Sequence, residues 1–160
     1  MCHPLLSCLD IASRRVTVCP VKGTLTIRLD DAVRARLEQR AEDVHAAPTA
    51  LAQQLLDEGL RMAAYPGVIF RPTSSGGRLA GLVAGPDVAE VIDILDGLEA
   101  GGEDAVAEAA RWLRLHPQQV RTAVSYYAAF PDEIDREVGF RQRAADEARA
   151  RWQREQTLLG

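Results

Sequence analysis

The sequence predicts a mainly helical fold with minor β structure: a dimerising head, a β-hairpin plus three-helix domain, and a C-terminal helix. Three observations carry this. Residues 24 to 29 alternate apolar Leu25, Ile27 and Leu29 with polar Thr24, Thr26 and Arg28, the period of a half-buried strand. Apolar residues at helical spacing fill most of the chain after Asp30. Proline and glycine punctuate it at Pro66-Gly67, Gly76-Gly77, Gly101-Gly102 and Pro117.

In the head, Asp30 or Asp31 can cap a helix whose inward positions are Val33, Leu37, Ala41 and Val44. Pro48 suits the first turn of a second helix carrying Leu51, Leu55, Leu56 and Leu60. One strand and two short helices cannot bury enough surface alone, and the strand edge needs a partner. A homodimer answers both needs if residues 25 to 29 of two chains pair antiparallel over a shared four-helix core. That ribbon repeats Thr24, Thr26 and Arg28 on its solvent face, a shape that fits the DNA major groove.

After Met62, the turn residues Tyr65, Pro66 and Gly67 predict a hinge. Val68 to Arg71 and Arg78 to Val83 flank PTSSGG and predict a hairpin with its loop at Pro72 to Gly77. The paired glycines lack the lysine and helix of a phosphate loop, so a turn is their use. Three helices follow, over Val88 to Leu98, Glu103 to Leu115 and Pro117 to Phe130. The tight third connection suggests a helix-turn-helix-like unit. Gln118, Gln119 and Arg121 then stand either as a possible second DNA contact or as an ordinary solvated helix entry, with Trp112, Tyr126 and Tyr127 filling a core. Eight acids and no lysine or arginine between Asp87 and Glu108 disfavour DNA over the first of these helices.

From Ile134 to Leu159, Phe140, Ala144, Ala148 and Trp152 recur every fourth residue on a helix rich in arginine, including Arg151. A stripe that thin rarely holds a helix in water by itself. It either folds back on its own domain or orders on a partner groove, and the partner is the favoured reading. The expected boundaries are 1–20, a disordered tail or untranslated upstream extension; 21–64, the head; 65–133, the hairpin and three helices; and 134–160, the partner-binding tail.

Formal charge is −4 over 160 residues, and the head is near neutral, with six basic residues against seven acidic. That lowers nonspecific affinity for DNA without removing the positive face that Lys22 and Arg28 would form. Cys2, Cys8 and Cys19 all lie in the opening stretch, at spacings that match no metal-ligand pattern even with His3. No nucleophile-base-acid constellation appears, so neither catalysis nor a cofactor or metal is expected. No apolar run reaches membrane-spanning length and no secretory signal is evident, which predicts a cytoplasmic protein.

Residues 23 to 63, through TLTIRLDDAV, the triplet Val33, Leu37 and Ala41, and the closing LLDEGLR, resemble the ribbon-helix-helix repressors of the Arc, MetJ and CopG type. The resemblance implies base reading by Thr24, Thr26 and Arg28, and phosphate contact at Lys22 and at Thr49 and Ala50. His45 stands near the family's helix-ending glycine, and Ala47 replaces its serine-type cap.

Residues 65 to 135, through YPGVIFRP, GGRLAGLVAG and LHPQQVRTAVSYYAAFPDEID, resemble the domain of uncharacterised function in bacterial VapB-like antitoxins, with AGPDV where glycine-threonine-arginine is usual. This second resemblance implies a type II toxin-antitoxin system whose toxin is commonly a PIN-like ribonuclease. The partners expected are therefore operator DNA, a second copy of the chain, and a toxin held by Phe140, Ala144, Ala148, Arg151 and Trp152. A free-standing ribbon-helix-helix repressor is one alternative, and a protein-binding module whose ribbon only dimerises is the other.

Overall fold

The computed structural model describes residues 25–73 and 77–159. The expected tail at 1–20, Lys22 and Thr24 lie outside the described residues. Described residues 25 to 30 run outside any strand. An antiparallel ribbon takes its hydrogen bonds from a second chain, so a single protomer leaves this edge without a ladder.

Asp30 caps helix α1 (Asp31–Asp43) by accepting from the Val33 N–H at 2.8 Å. Val33 and Leu37 are half-buried and Ala41 is buried, against helix α2 (Pro48–Ala64), the one described element that α1 touches. The turn between them is tight. His45 adopts φ +54°, its N–H bonds to the Glu42 carbonyl at 3.1 Å, and the Ala46 N–H reaches the Ala41 carbonyl at 2.9 Å. This is the left-handed helix ending that normally selects glycine, and a histidine fills it.

Strands β1 (Val68–Pro72) and β2 (Arg78–Leu82) form the expected antiparallel hairpin, in a register pairing Val68 with Leu82 and Phe70 with Ala80. Helices α3 (Val88–Asp96), α4 (Gly102–Leu113) and α5 (Pro117–Ala129) follow, then α6 (Pro131–Leu159). Pro117 and Pro131 sit in first turns, where a missing N–H removes no helical bond. His116 and Gln119 close a reciprocal cap at the start of α5, the imidazole Nδ1 accepting from the Gln118 N–H at 3.2 Å.

The core lies between the hairpin and α3 to α6. Val68, Leu82, Val88, Val91, Ala109, Val120, Ala123, Tyr126 and Ile134 are among its buried members. Arg71 braces the turn after β2 by donating to the carbonyls of Leu82 and Gly85, with Asp87 3.5 Å away.

The Tyr65–Gly67 segment is no free hinge, because the C-terminal half of α2 is clasped to the hairpin and α6 by ion pairs and to α5 by a hydrogen bond, described below. Helix α6 begins at Pro131, and its Ile134 and Val138 belong to the core. Farther along, the Arg141 guanidinium holds Asp87 at 2.6 Å and Glu137 at 2.8 Å, and Gln142 donates to Asp93 at 2.8 Å. Beyond Gln142 the helix runs on with nearly every residue exposed.

Candidate functional site

The head carries an open cleft of about 1300 Å³ between residues 25–29, α1 and α2. Leu25, Ile27 and Leu29 line it with Val33, Leu37, Ala52, Leu55 and Leu56, and Arg28, Arg34, Arg36 and Arg40 line it too. Leu25 is 81% exposed, Leu56 54% and Leu60 71%. Side chains of a type normally found in a core are therefore at the surface, in one contiguous region. Thr26 and Arg28 alternate with them and are exposed as well.

Thr49 and Ala50 stand exposed in the first turn of α2, and no side chain caps this helix at Ala47. Their N–H groups cannot bond within the helix, so the helix start presents donors and a partial positive charge. On α1, Arg34 is paired with Glu38 at 2.8 Å and Arg40 lies 3.8 Å from Asp43.

Two of the three residues considered for a second DNA contact are engaged within the fold. Gln119 accepts from the His116 N–H at 2.9 Å and donates to the Val83 carbonyl at 3.3 Å. Arg121 pairs with Glu103, which raises the arginine's pKa and lowers that of the carboxyl. Gln118 is exposed. Trp112, which one of the two sequence readings placed in a core, is 72% exposed.

Two ionic contacts join α2 to the rest of the chain. Glu58, 5% exposed, accepts from Arg78 Nε at 2.8 and 2.9 Å and from Gln54 Nε2 at 2.8 Å. Arg78 also donates to the Phe70 carbonyl at 2.9 Å, so strand and helix share one guanidinium. One turn on, Arg61 donates to the Tyr126 hydroxyl at 3.1 Å and to Glu133 at 2.5 Å, pairs with Asp57 at 2.7 Å, and lies 4.2 Å from the centre of the Phe130 ring. Burial works against its charge, but the hydrogen bonds it donates to Tyr126 and Glu133 outweigh it and raise the pKa. Burial also pushes the Tyr126 phenol up to about 12, with Arg61 pulling against it and Glu133 adding to it.

Sequence reasoning missed this clasp, although it left one signal. Glu58 follows Leu51 by seven residues and so falls on the same side of α2, where a charge must find a buried partner.

On α6, Phe140 is 62% and Trp152 59% exposed, and Ala144, Ala148 and Arg151 are exposed as well. The expected stripe is thus exposed, with Phe140 at its start lining a shallow pocket with Arg78 and Leu79 of the hairpin. Among the described residues no helix is long and apolar enough to cross a membrane. Compared with protein families, curated proteins and solved structures, the chain matches none.

Proposed function

We propose that this chain is the antitoxin of a type II toxin-antitoxin pair, a homodimer that represses its own operon and neutralises a ribonuclease-type toxin. One observation carries the reading. A segment with alternating character exposes Leu25, Ile27 and Leu29 beside an open, mainly apolar cleft, with Thr26 and Arg28 exposed as well and Arg28 also lining the cleft.

Two such segments, paired antiparallel, bury the leucines and isoleucine and turn Thr24, Thr26 and Arg28 outward as a ribbon of major-groove width. Arginine then reaches a guanine edge with two donors, and threonine meets either a polar base edge or a thymine methyl. The uncapped start of α2, at Thr49 and Ala50, supplies N–H donors for a backbone phosphate. The exposed stripe of α6 is the surface offered to the toxin, with Arg151 and its neighbours set to meet acidic groups such as those of a metal-dependent nuclease pocket.

Arg28→Ala tests the DNA half. Loss of operator binding with the dimer intact is the expected outcome, and operator binding as tight as the parent's would leave a ribbon that only dimerises. Native purification with intact-mass analysis tests the other half. A small stoichiometric companion is expected, whereas a chain that elutes alone across salt concentrations would make the protein a free-standing repressor.

A further inference from the structure

Helix α2 has two apolar faces. One holds Leu51 against the fold, with Glu58 beside it. The other comprises Ala52, Leu55, Leu56, Gly59, Leu60 and Ala63, which at 3.6 residues per turn cover roughly 140° of the helix surface. No polar residue interrupts this second face. Its leucines are 42%, 54% and 71% exposed in sequence order.

At the middle of the face stands Gly59. A glycine in a helix interior destabilises the helix relative to alanine. A Cβ added at Gly59 would meet nothing within 4 Å, so nothing in the protomer requires its absence. Ala52 and Ala63 continue the same line, so the centre is shallow and the rims are leucine.

We propose that α2 of a second copy of this chain crosses α2 at Gly59, and that this glycine sets how closely the two helices approach. The inference rests on the homodimer reading and adds to it the place where the helices meet. Continuity selects the second copy, because Ala52, Leu55 and Leu56 belong both to this face and to the cleft lined by Leu25, Ile27 and Leu29. Shape selects it too. A twofold contact must be complementary to itself, and a shallow centre between leucine rims lets the rim of each helix lie over the small residues of the other. The nearby charges Asp57 and Arg61 are turned to the other side of the helix and paired with each other, so the face from Ala52 to Ala63 itself carries no charge. With glycine at the crossing the axes come closer than the roughly 8–10 Å usual for packed helices.

Sedimentation equilibrium of the full chain over a concentration series tests this with the parent, Gly59→Ala and Gly59→Leu. Alanine favours the helix, so far-UV circular dichroism of that variant should be equal to or stronger than the parent's. The dimer is expected to weaken about tenfold with alanine and at least a hundredfold with leucine. A dimeric parent whose variants associate just as tightly would overturn the crossing and leave the dimer standing. A parent that stays monomeric throughout would overturn both.

Discussion

Replacing Arg78 by methionine removes the partner of a carboxylate that is 5% exposed, and should cost about 3 kcal/mol. The magnitude follows from what remains. Glu58 would keep only the Gln54 amide, at 2.8 Å, and one neutral donor does not replace a guanidinium bonded to both carboxylate oxygens. Arg78 is itself about a quarter exposed, which holds the figure at the lower end of the 3–5 kcal/mol typical of a broken buried pair. Glu58→Leu alone should cost less, about 1–2 kcal/mol, because Arg78 retains the Phe70 carbonyl and reaches water. The double variant carries no stranded charge and should lie within about 1 kcal/mol of the parent. Urea titrations of the four proteins at one protomer concentration complete the cycle, since association would otherwise shift the midpoints. An Arg78→Met cost below about 1 kcal/mol, or two single costs that simply add, would refute the view that this pair fastens α2 to the hairpin.

Three further outcomes follow from other contacts. With the Tyr126 phenol pushed up to about 12, the native state holds its proton more tightly than the unfolded chain, whose tyrosine titrates near 10. That stabilisation is complete below pH 10 and is lost as pH rises to 12, on the order of 2–3 kcal/mol, so Tyr126→Phe should flatten the alkaline limb of a stability profile; an unchanged slope would count against it. At His45, held at φ +54°, valine should destabilise by about 1–2 kcal/mol while glycine does not, as read by urea denaturation. Equal tolerance of both would mean the turn relaxes. Trp152→Ala should weaken the toxin complex more than operator binding in paired titrations, and equal loss in both would undo the division of labour between α6 and the head.

The helices and the hairpin were legible because each depends on local pattern. Pro48 and Pro117 open helices as a first-turn proline does, and the Thr73–Gly77 turn closes a hairpin with its loop where expected. What the pattern did not show is long-range and polar. Arg61 meets Tyr126 and Glu133, which lie 65 and 72 positions away, and Glu58 meets Arg78 across a turn that reads as a hinge. Periodicity assigns a charged residue to a solvated face unless a partner is known, and those partners come together only once the hairpin, α5 and α6 have packed.

On the proposed reading the same helix serves two interfaces that sequence treats as separate. Its inner side holds Leu51, Glu58 and Arg61 to the fold, and its exposed outer side, with Leu55, Leu56 and Leu60, would meet a second chain. Ionic contacts near its C-terminal end fasten α2, 17 residues long, to the core that carries α6, and the helix would then link that core to the proposed phosphate contact at its start. A rigid link lets a toxin seated on α6 and DNA seated on the ribbon affect each other's geometry, whereas a free hinge at Pro66 would uncouple them. Loosening the clasp by Arg78→Met, which leaves the Arg61–Glu133 pair in place, should therefore leave each proposed binding event intact and reduce the coupling between them, and titrations of DNA with and without toxin measure that difference.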